Sequence, residues 1–198
     1  MDSPSTRPAT PANDASALDA VRATPEAAAR FRRMVDVEFS VVWRFLRGLG
    51  VAAAGVDDAA QQVFLVAAKR IDAIAVGSER AFLLATARGV AANVRRGQAR
   101  NREVLDDSAI AHQRDDRADP EQAAASKQAR ALLDSFLEGL DEDVRVVFVL
   151  FELEGMTMAA IAHTLDLPAG TVASRLRRAR EDFHAATKRL QAQRGAAR

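Results

Sequence analysis

The sequence contains no cysteine, so disulfides, thiolate metal sites and thiol redox sensing are excluded. Its three histidines, His112, His163 and His184, are scattered and share no ligand spacing. No metal site and no cofactor are expected. A glycine-rich phosphate loop and a nucleophile–base constellation are also missing. The nearest thing to paired carboxylates is Glu152 with Glu154, two apart on a helix and facing different directions, which reads as surface charge. No catalytic residues are assigned, and an enzyme is the weakest of the readings. The most apolar run, Val146 to Phe151, is six residues, far short of the ~20 that a membrane span needs. The opening Met1-Asp2-Ser3-Pro4 lacks the basic and apolar segments of a secretory signal, so a cytoplasmic location is expected. Aromatics are only 5% of residues, and four of the six prolines fall within the first 25 positions.

Apolar residues make up 48% of the chain, enough for cores built mostly from Ala, Val and Leu. Alanine is abundant, and no sustained period-2 stretch is bounded by turns. The expected fold is all-α, with two small helical domains joined by a flexible acidic linker. Residues 1–25 read as a disordered tail rich in Pro, Ala, Ser, Thr and Asp. Residues 26–102 form the first domain, 103–124 the linker, 125–191 the second domain and 192–198 a basic tail. In the first domain, Phe31, Val35, Phe39, Val42, Trp43 and Leu46 mark one apolar face. Ala60, Val63, Phe64, Ala67 and Ile71 mark a second, and Leu83, Thr86, Val90 and Val94 a third.

The net charge of +1 averages opposite blocks. Residues 88–102 hold five arginines and no acid, whereas 103–121 hold seven acids against Arg114 and Arg117. Within the basic block, Arg88, Arg95 and Arg102 are seven apart and lie nearly in line on a helix. Asn93, Arg96 and Arg100 form an adjacent line. The stripe is about 20 Å long at a rise of 1.5 Å per residue. Like charges at this density repel unless a polyanion screens them.

The C-terminal part carries a second basic helix with a specific grammar. Val144, Val147, Phe148 and Phe151 give one helical core face, which Gly155 terminates as a C-cap. Thr157 caps a short helix from Met158 to Leu165, and Asp166-Leu167-Pro168 breaks it. In the following helix Val172, Leu176, Ala179 and Phe183 form an apolar stripe. Five of the sixteen residues from Gly170 to Ala185 are Arg or His off that stripe: Arg175, Arg177, Arg178, Arg180 and His184. Three short helices ending in an arginine-rich one suit a helix-turn-helix whose last helix enters a DNA groove, where Arg reads guanine edges and neutralises phosphate.

Two motifs, in order, carry a resemblance to the extracytoplasmic-function (ECF) sigma factors, promoter-recognition subunits of bacterial RNA polymerase. Asp57-Asp58-Ala59-Ala60-Gln61-Gln62-Val63-Phe64 resembles the D-x-x-Q-E-x-F helix of sigma region 2. Gly170-Thr171-Val172-Ala173-Ser174-Arg175-Leu176, with Arg178-Ala179-Arg180, resembles the G-T-V-x-S-R-[L/I]-x-R-A-R of region 4. The resemblance implies core-polymerase docking through Asp57, Asp58, Gln61, Gln62 and Phe64. It implies −10 element recognition and melting through Arg88, Gly89, Asn93, Arg95, Arg96 and Arg100, with a flipped base held in the loop 73–78. It implies −35 element recognition through Thr171, Ala173, Ser174, Arg175, Arg177 and Arg178. The implied partners are bacterial core RNA polymerase and promoter DNA, and family members are commonly held inactive by an anti-sigma factor. Departures from the family pattern are Phe82 for Trp, Gly89 for Asn, Ala160 for Glu, Asp141 for Pro and Gln62 for Glu. The alternative is a stand-alone helix-turn-helix repressor or activator, which would need only the C-terminal module.

Overall fold

The first helix starts where its sequence supplies a cap. The Thr24 hydroxyl accepts the Ala27 N–H at 3.2 Å, and Pro25 occupies the first helical turn, where a missing N–H costs nothing. The computed structural model describes residues 24–102 and 120–196. The expected N-terminal tail up to residue 23 and linker residues 103–119 lie outside the described residues. Helix α1 (Pro25–Gly48) is followed by a 3-10 turn at Ala53–Gly55, α2 (Val56–Lys69), a second 3-10 turn at Ile71–Ala73, and α3 (Glu79–Arg102). The C-terminal half comprises α4 (Pro120–Gly139), α5 (Glu142–Phe148) with a π turn at Val149–Leu153, α6 (Met158–Leu165) and α7 (Ala169–Ala196). Helices account for all the regular structure among the described residues. The second helical segment begins at Pro120, inside the span expected as linker, and α7 runs into the span expected as a basic tail.

The α2 face expected from the sequence is fully buried, from Ala60 through Ile71. On α1 the buried side is turned toward Met34, Val41, Val42, Phe45 and Leu46. Phe31, Val35 and Trp43 are only partly buried, and Phe39 is exposed. On α3 the inner positions are Leu83, Leu84, Ala87 and Ala91. Of the residues expected there, only Leu83 is fully buried, and Thr86, Val90 and Val94 lie at the margin. The inward face is turned around the helix so that Leu84, Ala87 and Ala91 take the place of Thr86, Val90 and Val94, and the two alanines let α3 pack tightly against the bundle.

The two halves share one buried core. At the end of α1, Gly48 meets the π turn so closely that a Cβ there would lie 2.8 Å from Cγ1 of Val149. Arg145 of α5 is 2% exposed and donates to the carbonyls of Leu49, Glu138 and Leu140 at 3.3, 3.0 and 2.8 Å. It thereby satisfies three backbone acceptors at the end of α1 and in the α4–α5 turn. Burial pulls its guanidinium below the ordinary value, with Arg95 adding to the effect and Glu142 and Glu138 opposing it. Glu154 pairs with Arg44 of α1 at 2.8 Å, its own side chain 3% exposed. It therefore ties the halves together and is no surface charge, in contrast to its sequence reading. The hydrogen bond from Glu154 raises the Arg44 pKa, burial works against it, and the Glu154 charge adds to the rise.

Candidate nucleic-acid interface

The helix-turn-helix forms as the sequence indicated. The Thr157 hydroxyl accepts the Ala160 N–H at 3.2 Å and caps α6. Asp166 ends α6 in the left-handed region at φ 51°, which Asp tolerates better than most residues. The Pro168 carbonyl then accepts from Thr171 and Val172, so the proline sits at the entry to α7. Val172, Leu176 and Ala179 are buried and seat α7 on the module. Phe183 is 39% exposed, with its ring edge-on to Phe136 and tilted against Phe148.

This seating turns Ala173, Ser174, Arg177 and Arg178 to solvent on one face of α7. Thr171 is half-buried, and its carbonyl accepts from the Ser174 hydroxyl. Arg177 pairs with Glu181 one turn along, at 2.7 Å. Arg178 pairs with Asp141 at 2.7 Å, both side chains more than half exposed. Arg175 is more enclosed and reaches Asp143 at 2.6 Å. Arg180 lies over the Phe151 ring and pairs with Glu152, so it belongs to packing.

The basic stripe on α3 meets the same acidic turn. Arg88 donates to Asp143 at 2.8 Å, and Arg95 approaches Glu142 at 3.5 Å. Arg96 donates to Asn93, and both are exposed, as is Gly89. Arg100 lies further along the same helix. The N-cap and first turn of α5 therefore carry three carboxylates, Asp141, Glu142 and Asp143, each paired with an arginine of α3 or α7. Composition could not reveal this, because the acids and arginines are far apart in sequence. Asp141, which stands where the ECF pattern has Pro, is one of the three.

On α2, Asp57, Asp58, Gln61 and Gln62 are exposed, and Asp57 accepts from the Trp43 indole at 2.9 Å. Phe64 stands apart from them. It is 6% exposed, stacks on Phe39 and meets Phe31 edge-on, because it lies on the inward face of the helix. Its ring is thus unavailable to an outside surface. Phe39, 41% exposed over that ring, is the apolar side chain that α1 presents beside this face. Its place in the α1 apolar pattern hid this from sequence reasoning.

The fold contains a helix-turn-helix formed by α6 and α7, with arginines on the exposed face of α7. The family described as sigma-70, region 4 matches residues 130–183. The ECF RNA polymerase sigma-E factor of Escherichia coli K12 is 41% identical over 64 residues, 32% of this chain and 34% of that protein. The chain thus matches about a third of the length of that relative. The ferric citrate uptake sigma factor FecI of the same organism is 28% identical over 151 residues, 76% of this chain and 87% of that protein. Two solved structures share the fold. CnrH, in complex with the cytosolic domain of CnrY, has a TM-score of 0.62 at 22% identity, covering 90% of this chain and 98% of CnrH. The sigma factor RpoE of Bartonella quintana, in complex with the anti-sigma factor NepR, has a TM-score of 0.63 at 18% identity, covering 80% and 97%. Residues 130–183 thus match sigma-70 region 4, and the chain is similar in sequence to ECF sigma factors over the stretches given.

Proposed function

We propose that this chain is a sigma subunit that binds bacterial core RNA polymerase in the cytoplasm and directs promoter recognition and initiation. It carries out no chemistry itself. Residues 26–102 act as region 2 and 125–191 as region 4. The observation that carries the reading is the pairing, in one chain, of two arginine-bearing helices with different settings. Helix α7 lies in a helix-turn-helix and suits a duplex major groove, where Arg177 and Arg178 read base edges. Helix α3 follows a protruding loop and suits the −10 element, where a base leaves the stack and single-stranded backbone must be held. Arg88, Gly89, Asn93, Arg95, Arg96 and Arg100 serve that second surface. A stand-alone repressor would need only α4–α7 and would leave α3 and the exposed α2 face without a role.

The α2 face formed by Asp57, Asp58, Gln61 and Gln62, with Phe39 beside it, is the proposed polymerase contact. Phe64 supports it from within. Substituting Gln61 and Gln62 together with Ala should weaken binding to core polymerase while the isolated chain keeps its melting temperature. Unchanged affinity would remove this face from the interface.

The geometry adds a requirement. Promoter elements at −10 and −35 lie more than two duplex turns apart, at roughly 34–36 Å per turn. In this arrangement α3 and α7 share one carboxylate. The halves must therefore separate to engage both elements, and the arrangement described is the closed form. The acidic turn of α5 occupies the arginines that the DNA needs. Two of the structurally similar proteins are seen in complexes, with the cytosolic domain of CnrY and with the anti-sigma factor NepR, which supports an anti-sigma factor as a partner of the closed form here.

A further inference from the structure

The loop between the Ile71–Ala73 turn and α3 protrudes while being held at its root. Ile74 is buried at 4%, whereas Val76 at the tip is 89% exposed. Gly77 adopts φ +85°, with nothing near the place of a Cβ, so its glycine serves backbone geometry and not close packing. A turn closes from the Ser78 N–H to the Ala75 carbonyl at 3.1 Å.

One side chain from a distant helix grips both legs of this loop. Arg30 of α1 donates from Nη1 to the Ile71 carbonyl at 3.0 Å and from Nη2 to the Ile74 carbonyl at 2.6 Å. On the exit side, Nε and Nη2 reach Glu79 Oε1 at 3.0 and 2.7 Å. A planar guanidinium can satisfy these acceptors together, whereas a lysine ammonium is a single point on a flexible stem. A second brace, Arg80 to Glu38 at 2.8 Å, fixes the start of α3 to α1. Burial acts to raise the Glu79 pKa, but the Arg30 hydrogen bond, the backbone N–H groups of Glu79 and Gly77, and the Arg30 charge together hold it below the usual carboxylate range.

We propose that Arg30 is a positioning residue for promoter opening, fixing the loop 74–78 so that its apolar tip at Val76 meets a base extruded from the duplex. This rests on the sigma reading above. A loop that had to be ordered during capture would charge its lost conformational freedom against the same step that unstacks the base. A loop held beforehand does not. Val76 offers no hydrogen bond, so it contributes shape and exclusion of water, and polar recognition falls to backbone groups and α3.

The test compares wild-type chain with R30A and R30K, each reconstituted with core polymerase. Closed-complex affinity is measured on duplex promoter, and strand opening by permanganate reactivity of unpaired thymines. The same promoter carrying an unpaired bubble across the −10 element serves as the second template. Expected is a slowing of opening on the order of tenfold for R30A, as for other small misplacements of a reacting geometry. Closed-complex affinity should stay within about twofold. R30K should not rescue opening, and the bubble template should restore most of the loss. Equal losses on duplex and bubble templates, or a loss in closed-complex affinity matching that in opening, would assign Arg30 to general folding and overturn the proposal. Unchanged opening would overturn it too. A wild-type chain that gave no initiation with core polymerase would instead remove the sigma reading itself.

Discussion

Arg88 of α3 and Arg175 of α7 bond to opposite oxygens of one carboxylate, Asp143, at 2.8 and 2.6 Å. In this arrangement the Asp143 carboxylate competes with DNA phosphate for the charge of both arginines. Replacing Asp143 with Asn should raise the affinity of the free chain for a −35 duplex by roughly three- to tenfold at low salt, the gain shrinking as salt rises. Because the change also adds net positive charge, Asp36→Asn, at an exposed α1 position, is the matched control. Equal gains for the two variants would show a general charge effect and no local competition.

Gly48 and Val149 set how closely the halves approach. A Cβ at position 48 would clash with Val149 Cγ1 at 2.8 Å and Cγ2 at 3.0 Å. Gly48→Ala is therefore expected to destabilise the chain by about 1–3 kcal/mol, despite the helix preference for alanine. Val149→Ala in the same chain should recover part of that loss by making room. The check is urea unfolding of the two single variants and the double. Additive losses would mean that the two side chains do not compete for one space.

Arg177 and Arg178 face solvent from α7 but hold different partners, Glu181 and Asp141. Replacing either with Ala should cost ~1–3 kcal/mol of discrimination at particular −35 base pairs if it reads an edge. Binding measured across single-base variants of the −35 element decides this. A loss uniform across all variants would reassign that arginine to phosphate contact.

The ion pair at the loop root should also show in the pH dependence of stability. The Glu79 pKa is lowered in the folded chain. Its contribution is fully present above the unfolded value, near 4.3 for a free Glu, and is lost as pH falls through the lower folded value. Glu79→Gln should therefore be less stable than wild type at pH 7. The two unfolding curves should converge as pH drops below about 4. A gap that stayed constant down to pH 3 would mean that shape, and not charge, sets the contribution of Glu79.

Much of this was legible in the chain. The Thr157 cap, the break at Asp166–Pro168 and the Val172–Leu176–Ala179 stripe are local signals, and all three recur in the structure. The α2 face was equally plain because large apolar residues mark it. What sequence could not supply is pairing at a distance. Asp141, Glu142 and Asp143 are neighbours in sequence, but nothing local reveals that arginines 32 to 55 positions away reach Asp143. Arg30 was invisible for the same reason, since its partners lie 41 to 49 positions on. On α3 the alanines were missed because their burial depends on neighbours rather than on their own hydrophobicity.

The central claim is that this chain programs a polymerase. The most direct measurement is in vitro transcription with the purified chain, sigma-free bacterial core polymerase and fragmented genomic DNA from the source, mapping transcript 5′ ends. Discrete start sites preceded by two shared elements, lost when the chain is omitted, are the predicted result. No added initiation, together with specific DNA binding by the chain alone, would contradict it and make the protein a stand-alone helix-turn-helix regulator.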